Sequence, residues 1–597
     1  MDYSIYKDSD VISTVDRIKK ILSGVGIDLK EYIQEYSSEE KYIPYSMRVT
    51  LFGKDNYGTN GKGTCLENCI ASAYSEFMER LQNFYLRDNC LKLVSDDFIY
   101  TPDEKEYLPE NNQILNKYYD DEIIEYANKI VDFLKDNKKQ TEVPFYSVKE
   151  NKVVYLPIDI IKFFQGSNGM SAGNTVEEAL VQGLSEVFER NAMRQIIFNE
   201  LSMPDIPKNI YEKYNNLSGI IKYISKQGWT ITVKDASVGK KFPVVCTILE
   251  NKEKKLLTFK FGAHPSLPIA IERTLTEFTQ GNFLNESTYD LLMFNSYGVT
   301  NDFLYKNYLF IQSFRFSQYL PDTNKLFSKI LNSAKNYDFS LNSWIDENKK
   351  YSNKDLLKFL FNTLKVNSIE DVYIRDVSFL NFPSFYIYIP ALSEIHNYDK
   401  NTMERDFDEV CWDNYKADKV ENHKDIDSLL YVVERKISNV NPFLEQTFIT
   451  PYPNEYIALL CYIVKKNIDK IIDYSNSLIN NNFYAYLKNK NLILFINRYF
   501  SLIKQNLDEN KINSMLENEF NADDIKYCKT FILYLDFDKV KRIISNVNNK
   551  KSLIEKQQNP FSVEQNNELE NIRLKLTEKY KNNTPNQINL SKVFDFV

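Results

Sequence analysis

The sequence is poor in histidine, glycine and long apolar runs, and each shortage narrows what the protein can be. Three isolated histidines give no basis for a Ser-His-Asp hydrolase. The 16 glycines form neither a G-x-G-x-x-G motif between strand and helix nor a G-x-x-x-x-G-K-[ST] phosphate loop. Seven cysteines follow no disulfide framework, which favours a reducing cytoplasm.

Membranes and nucleic acids are also disfavoured as partners. No run of 18 or more apolar residues occurs, and the start "MDYSIYKDSD" lacks an apolar core of signal-peptide length. The formal net charge of −8 argues against a surface built for nucleic acid. We therefore expect a cytoplasmic protein that binds neither a membrane nor nucleic acid.

The length and the pattern of hydrophobicity predict two domains. A chain of 597 residues is longer than one core usually supports. Strand-like stretches such as "SMRVTLFG", "VPFYSVKENKVVYLP" and "FPVVCTILE" alternate with helical spacing, which predicts a mixed α/β domain over residues 1–416. Later segments such as "EYIALLCYIVKKNIDKIIDYSNSLI" have only the 3.6-residue period. They predict an all-α, TPR-like domain over residues 417–597.

The motif S-E-x-x-E-R occurs twice, as "SEFMER" with Glu76 and Glu79 and as "SEVFER" with Glu186 and Glu189. Each copy falls on a predicted helix that follows a Gly-containing segment, "YGTNGKGT" or "GSNGMSAGNT", which we predict to be loops. A third predicted helix places an arginine, a glutamate and a glutamine at i, i+4 and i+7. These three residues are Arg273, Glu277 and Gln280.

Two interpretations of the repeated motif stay open. The glutamates can decorate solvated helix faces, where i,i+4 pairs with Arg80 and Arg190 contribute ~0.2–0.5 kcal/mol each. Alternatively, two pairs of like charges brought together require a cation, and hard carboxylate oxygens select Mg²⁺ with substrate phosphates. Arg190 and Arg273 would then face those phosphates, with Lys62 and Lys7 as further candidates, which describes a nucleoside triphosphate site.

Three segments resemble the ATP-site segments of YcaO proteins. They are "TNGKGT…ASAYSEFMER", "SNGMSAGNTVEEALVQGLSEVFER" and "FGAHPSLPIAIERTLTEFTQG". The similarity is strongest to the long free-standing branch with a helical C-terminal extension. That branch is described as an accessory factor for β-methylthiolation of the twelfth small-subunit ribosomal protein.

The resemblance implies a Mg²⁺-dependent ATP-binding enzyme that phosphorylates a peptide backbone amide oxygen. The carboxylates matched to the Mg²⁺ ligands of the family are Glu76, Glu79, Glu186 and Glu189. The residues matched to its nucleotide ligands are Lys7, Thr14, Asn174, Glu178, Arg190, Arg273 and Glu277. Thr14 stands where a serine is commoner, and Glu178 also fits a capping box begun by Thr175.

The resemblance also implies partners: a protein or peptide substrate, a radical-SAM methylthiotransferase and its ribosomal protein, and a second copy in a homodimer. The chain itself has no C-x-x-x-C-x-x-C motif, so it is not predicted to perform radical chemistry. Azoline-forming members often end in a proline-rich tail, whereas this sequence ends "NLSKVFDFV". Two alternatives therefore remain, a nucleotide-regulated scaffold without catalysis and an azoline- or thioamide-forming cyclodehydratase.

Isolated reactive residues give weaker hypotheses. Cys65 and Cys69 lie at i, i+4 without further Cys or His nearby in sequence, which favours a structural role over a metal site. His264 precedes the third predicted helix, and we predict a role in the loop there.

Overall fold

The chain forms two compact units. The first comprises the described residues before 401 together with the C-terminal segment 562–596, and the second the described residues from 403 to 543. The computed structural model describes residues 6–33, 44–54, 57–83, 102–108, 114–134, 140–251, 253, 256–278, 320–321, 337–395, 398–400, 403, 426–427, 429–430, 433–434, 454–480, 491–543 and 562–596. The predicted boundary at residue 417 and Gln280 lie outside these residues.

The first unit is a mixed α/β structure, as the sequence predicts. Its strands are β1 (Leu29–Ile33), β2 (Tyr45–Leu51), β3 (Gly58–Gly63), β4 (Lys105–Glu106), β5 (Thr141–Ser147), β6 (Lys152–Pro157), β7 (Met170–Ala172), β8 (Thr230–Asp235), β9 (Val244–Asn251), β10 (Leu256–Ala263), β11 (Leu320–Pro321), β12 (Tyr373–Asp376) and β13 (Ser384–Tyr388). Its helices before residue 401 are α1 (Val11–Gly24), α2 (Leu66–Gln82), α3 (Asp121–Leu134), α4 (Ile158–Gln165), α5 (Val176–Phe198), α6 (Lys208–Tyr211), α7 (Asn215–Lys226), α8 (Leu267–Glu277) and α9 (Asn353–Val366).

The described strands form three sheets. The orders are β1–β2–β3, β11–β10–β9–β8 and β4–β5–β12–β13–β7, with β6 pairing β5 in the third. All the described pairings are antiparallel. Helix α2 packs on β3, α8 on β9 and β10, and α5 on β7, β10 and β13. Three helices that carry predicted site residues are thereby each held on a sheet.

Glycines in the strands allow two of these helices to approach closely. A Cβ at Gly61 of β3 would lie 2.1 Å from the Cys69 carbonyl oxygen of α2. A Cβ at Gly262 of β10 would lie 2.6 Å from the Ala270 carbonyl oxygen of α8. Real Cβ atoms do not occur at such distances, so glycine is required where strand and helix backbones touch.

The segment "YGTNGKGT" is not the predicted loop. Residues 58–63 form β3, which pairs with β2 in a register that places Tyr45 opposite Gly63 and Thr50 opposite Gly58. Glycine has low strand propensity, so the local pattern indicates a loop. The pairing with β2 and the packing under α2 override that preference.

The C-terminal segment belongs to the first unit. Helix α15 (Val563–Asn582) places Leu569, Ile572, Leu576 and Tyr580 in the core shared by α1, α2 and the first sheet. Farther on, the Gln587 side chain bonds both the N–H and the carbonyl of Asp376, at 2.7 and 2.9 Å. The compact units thus divide the chain differently from the predicted division, which gave residues 417–597 to one helical domain.

The second unit is helical, as predicted for this part of the chain. Its helices are α10 (Asn454–Lys465), α11 (Ile468–Asn480), α12 (Asn491–Lys504), α13 (Glu509–Glu517) and α14 (Ala522–Leu533). Helices α10, α11 and α12 pack consecutively around an apolar core that includes Leu459, Ile471 and Ile496. TPR-like geometry stays a prediction. Across both units, none of the helices described is long and apolar enough to cross a membrane.

Candidate functional site

Helices α2 and α5 present their paired glutamates from the polar side of an amphipathic surface. On α2, Tyr74, Phe77, Met78 and Leu81 are buried in the core. Between these positions, Glu76 and Glu79 project with side chains 36% and 12% exposed. This alternation follows from 3.6 residues per turn, because i and i+3 share a face.

Each helix carries one arginine that lies beside its own two glutamates. Arg80 is 3.7 Å from Glu76 and 3.5 Å from Glu79. On α5, Arg190 is 3.8 Å from both Glu186 and Glu189. These distances exceed the 2.7–2.9 Å of a strong charge-assisted hydrogen bond. We call the six residues the glutamate–arginine cluster; they are Glu76, Glu79, Arg80, Glu186, Glu189 and Arg190.

The two helices act on each other electrostatically. Burial raises the pKa of Glu79 well above its ordinary value; Arg80 lowers it, and Glu186 and Glu76 raise it further. Burial also raises the pKa of Glu186. Arg190 and Arg80 lower this pKa, and Glu189 and Glu76 raise it further. The structure therefore brings the four predicted carboxylates into one site, where their negative charges repel one another.

Cations border this cluster on the side of α8. Lys62 of β3 forms an ion pair with Glu277. Burial lowers the pKa of Lys62 to about 8. Glu189 and Glu76 act to raise this pKa, and Arg273 and Arg190 act to lower it. Arg273 donates to the Ala263 carbonyl oxygen at 2.7 Å and to the amide oxygen of Gln182. Lys62, Arg273 and Glu277 thus lie together at the edge of the cluster.

Four other predicted residues, with Glu178 at their centre, form a hydrogen-bonded group together with Asp8, which was not predicted. Lys7 Nζ lies 3.1 Å from Glu178 Oε1, and the Asp8 N–H donates to Oε2 at 3.1 Å. Asn174 donates to both carboxylate oxygens at 3.3 and 3.2 Å, and its own oxygen accepts the Thr14 hydroxyl at 2.9 Å. These five residues, Lys7, Asp8, Thr14, Asn174 and Glu178, are named the N-terminal cluster. It ties the start of the chain to the start of α5.

Only half of the capping box considered for Glu178 is present, because the Glu178 carboxylate bonds Lys7, Asp8 and Asn174. Thr175 is the N-cap of α5, and its hydroxyl accepts the Glu178 N–H at 3.2 Å. The same hydroxyl bonds the Asp8 carboxylate. Helix capping and attachment of the N-terminal segment are therefore combined at one turn.

The donor set suits a hard divalent cation. Within the part of the chain that the structure describes, no three Asp, Glu, His or Cys side chains converge tightly enough to hold an ion as they stand. Arg80 and Arg190 instead lie beside the glutamates. Burial, and after it repulsion from neighbouring glutamates, raises the pKa values of Glu79 and Glu186. Mg²⁺ would relieve that repulsion, and carboxylate oxygens are its preferred protein ligands.

His264 lies at the entrance to α8 and near two predicted nucleotide ligands. Its Nδ1 accepts the Ser266 N–H at 3.0 Å, and its ring centroid is 5.6 Å from that of Tyr6. Burial lowers the pKa of His264 well below its usual value, and Arg273 and Lys7 lower it further. A neutral imidazole accepting at Nδ1 carries its proton on Nε2.

One basic residue of the site was missed by the sequence analysis. Lys260 of β10 is 4% exposed, and Lys62, Arg190 and Glu189 are among the charged groups that act on it. Burial lowers its pKa to about 7; Lys62 and Arg190 contribute, and Glu189 opposes. The available signal was a single lysine inside the apolar strand "LLTFKFGA".

Among the described residues, Cys65 and Cys69 are not part of any group of three or more His, Cys, Asp or Glu side chains that could hold a metal ion. Cys69 is fully buried beneath Gly61 and Gly63, and burial raises the pKa of its thiol to about 12. A protonated thiol in an apolar contact is a packing group.

Comparison with known proteins adds a family. A family model described as YcaO cyclodehydratase, ATP- and Mg²⁺-binding, matches residues 60–393. An uncharacterised protein of Haemophilus influenzae is 30% identical over 429 residues, covering 68% of this chain and 70% of that protein. The ribosomal protein S12 methylthiotransferase accessory factor YcaO of Escherichia coli is 34% identical over 296 residues. That match spans 47% of this chain and only half of the E. coli protein.

Solved structures give weaker likenesses. YcaO from Methanopyrus kandleri, bound with AMPPCP and Mg²⁺, has 16% identity and a TM-score of 0.42, covering 65% of this chain and 93% of that one. A heterocyclase in complex with substrate and cofactor has 17% identity and a TM-score of 0.45, and the match covers 66% of this chain and 54% of the heterocyclase. The family model covers more than half of the chain, from β3 to the end of the described sheet strands. By that match and by its sequence relatives, the chain belongs to the YcaO family.

Proposed function

We propose that the chain binds ATP with Mg²⁺ among α1, α2, α5 and α8. The observation that carries this proposal is the meeting of four mutually repelling glutamates with a border of lysine and arginine cations. A nucleotide–metal complex brings the two charges that such a site lacks, a divalent cation for the carboxylates and phosphates for the cations. The description of the family as ATP- and Mg²⁺-binding supports the same conclusion.

In this proposal Glu76, Glu79, Glu186 and Glu189 hold the metal. Mg²⁺, when bound, neutralises the charge that builds up on transferring phosphates. Arg80 and Arg190 lie beside these glutamates at 3.5–3.8 Å and balance part of their charge. Their weak pairing distances leave the carboxylate oxygens available to a stronger partner.

The remaining predicted residues hold the nucleotide. Arg190, Arg273 and Glu277 border the metal site, where the arginines can meet phosphate oxygens. Lys7, Thr14, Asn174 and Glu178 hold the N-terminal helix against α5. Since Glu178 already accepts from three groups, we propose that it orients Lys7 and Asn174 toward the nucleotide.

The reaction we propose is transfer of the γ-phosphoryl group to a peptide amide oxygen. The amide oxygen forms the new bond to phosphorus, the bond from the γ-phosphorus to the β,γ-bridging oxygen breaks, and ADP leaves. The amide N–H proton is released as the O-phosphorylated imidate forms. Arg190 and Arg273 are suited to stabilise the charge spread over the transferring group, which is the main task of a protein in phosphoryl transfer.

The cellular role that we propose is that of an accessory factor for β-methylthiolation of a small-subunit ribosomal protein. Its support is the E. coli relative, which carries that name and matches this chain over 47% of its length. A radical-SAM methylthiotransferase and the ribosomal protein would then be partners. A homodimer is part of the same proposal.

A nucleotide-regulated scaffold is the second candidate, and the helical unit favours it. Five consecutive helices, α10 to α14, form a core separate from that of the α/β unit. Paired helices of this kind commonly build protein-binding surfaces. An azoline- or thioamide-forming cyclodehydratase is the third candidate, and the family description supports it.

Calorimetric titration with ATP, with and without Mg²⁺, tests the common core of these proposals. We expect Mg²⁺-dependent binding by the full chain. Phosphate release measured in the same samples then separates enzyme from scaffold, because a scaffold binds without turnover. An absence of binding in the presence of Mg²⁺ would contradict all of the nucleotide-based proposals.

A further inference from the structure

His264 lies between the N-terminal cluster and the cations that border the glutamate–arginine cluster. On one side its ring faces that of Tyr6, with the centroids 5.6 Å apart, and Tyr6 directly precedes Lys7 in the chain. On the other side the residue before it, Ala263, accepts a 2.7 Å hydrogen bond from Arg273. A nucleotide that contacts both Lys7 and Arg273 would therefore pass close to the imidazole.

The fold holds the backbone and the ring of His264 in one position. Its N–H donates to the Pro243 carbonyl oxygen at 3.1 Å, and the Ile345 N–H donates to the carbonyl oxygen of the next residue, Pro265, at 3.0 Å. Its Nδ1 accepts the N–H of Ser266, the N-cap of α8, at 3.0 Å. With only 4% of the residue exposed, the imidazole is oriented before a ligand arrives.

The bond at Nδ1 determines what the other ring nitrogen can do. A neutral imidazole that accepts at Nδ1 carries its proton on Nε2 and has one further hydrogen bond to donate. Among the described residues, no group accepts a hydrogen bond from this Nε2, and Nε2 is not one of the fully enclosed atoms that lack a partner. The proton on Nε2 is therefore within reach of a ligand.

We propose that His264 binds the nucleotide directly, by donating its Nε2–H to an oxygen of the triphosphate between Lys7 and Arg273. The inference deepens the proposed function and rests on it. Phosphate oxygens accept hydrogen bonds from neutral donors as well as from cations. A neutral donor suits this position, because a further positive charge would be repelled by the two cations. His264 is not among the residues matched to the nucleotide ligands of the family, and the sequence alone predicts only a role in the loop.

The two ring nitrogens allow the loop role and the ligand role to be tested separately. His264→Asn places an amide oxygen near the position of Nδ1, so the bond from Ser266 is kept and the Nε2 donor is lost. His264→Gln places an amide nitrogen near the position of Nε2, so the donor is kept and the bond from Ser266 is lost. Both replacements are uncharged, as the neutral imidazole is.

The test measures Mg²⁺-ATP binding by calorimetry, and thermal unfolding without nucleotide, for the wild-type full chain and both variants. We expect His264→Asn to raise the Kd about 10- to 100-fold, as for a lost hydrogen bond to a charged group. Its melting temperature should stay close to that of the wild type. His264→Gln should bind Mg²⁺-ATP more tightly than His264→Asn and yet melt at a lower temperature, because the Ser266 N–H is left unpaired.

The outcomes separate this inference from the proposal beneath it. If the wild type does not bind Mg²⁺-ATP, both are overturned. If the wild type binds and His264→Asn has the same Kd, only the ligand role of His264 is overturned, and the loop role is sufficient. A loss of affinity in His264→Gln that equals or exceeds the loss in His264→Asn would make His264 a structural residue, which also overturns the inference.

Discussion

The two polar clusters of the α/β unit contain residues predicted to form one ligand site, yet they differ in how completely hydrogen bonds and ion pairs within each cluster satisfy its polar groups. In the N-terminal cluster, both oxygens of Glu178 accept hydrogen bonds, and each of its contacts lies between 2.9 and 3.3 Å. In the glutamate–arginine cluster, Arg80 and Arg190 stand 3.5–3.8 Å from the glutamates. The polar groups of the N-terminal cluster are therefore satisfied by one another, whereas the glutamates of the glutamate–arginine cluster are only weakly paired.

The difference teaches which predicted ligands act directly. A satisfied carboxylate must break existing bonds before it meets a ligand, at a cost of about 1–3 kcal/mol. Glu79 and Glu186, whose pKa values are raised by burial and by the neighbouring glutamates, gain from any cation that arrives. We therefore expect the larger losses of nucleotide binding from changes in the glutamate–arginine cluster, and mainly a loss of local order from changes in the N-terminal cluster, which acts on the nucleotide through the orientation of its side chains.

The largest effect is expected for Glu186→Gln. Removing one of four metal carboxylates should raise the Kd for Mg²⁺-ATP by more than about 100-fold, while the melting temperature without nucleotide stays at or above that of the wild type. Titration calorimetry and thermal unfolding measure the two quantities. Glu177→Gln, in the first turn of the same helix, is the matched control and should bind normally. Unchanged affinity in Glu186→Gln would mean that α5 does not hold the metal.

The next largest effect is expected for Gly262→Ala. The new methyl group meets the Ala270 carbonyl oxygen at 2.6 Å, so α8 must move away from β10. We expect a loss of about 1–3 kcal/mol in unfolding free energy and weaker Mg²⁺-ATP binding, because Arg273 and Glu277 shift with the helix. Gly24→Ala is the control, since nothing lies within 4 Å of its added Cβ. Wild-type affinity in Gly262→Ala would show that the position of α8 is unimportant for the ligand.

The residues of the two clusters could be predicted in part because amphipathic helices have a recognisable apolar spacing in sequence. Val11–Gly24, Leu66–Gln82 and Val176–Phe198 follow from apolar spacing, and the repeated motif marks Glu76, Glu79, Glu186 and Glu189. The hairpin of β5 and β6 was also predicted. These features depend on neighbours within one or two turns of chain.

Features that depend on distant partners were not predicted. Strand β3 is a strand only because β2 pairs with it and α2 covers its glycines. Lys260 is hidden inside an apolar strand, and its neighbours Lys62 and Arg190 are far away in sequence. The packing of α15 within the first unit is set by Leu569, Ile572 and Tyr580, which share a core with residues as distant in sequence as Val15. No local period encodes such contacts.

A smaller effect, on local stability more than on nucleotide binding, is expected for Glu178→Gln. The neutral amide loses the ion pair with Lys7, which is 56% exposed, and one acceptor for Asp8 or Asn174. We expect a local loss of about 1–2 kcal/mol, visible as faster hydrogen exchange in α1 than in the wild type. Exchange in α2 should not change. If α1 keeps its protection while Mg²⁺-ATP binding disappears, Glu178 is a direct ligand, and the contrast between the clusters fails.

The smallest effect is a pH dependence that belongs to one cluster only. A carboxyl whose pKa is raised on folding binds its proton more tightly in the native state, so its contribution to stability declines as pH rises above the unfolded value of 4.5. Without nucleotide, the wild-type melting temperature should therefore fall between about pH 5 and pH 8 more than that of Glu79→Gln. Glu67→Gln, in the first turn of the same helix, should keep the wild-type slope. Added Mg²⁺ should flatten the wild-type slope, since the cation takes over the role of the proton, and should leave Glu79→Gln nearly unaffected. Equal slopes in wild type and Glu79→Gln would mean that repulsion between the glutamates of α2 and α5 does not lower the stability, because Arg80 and Arg190 already balance their charge.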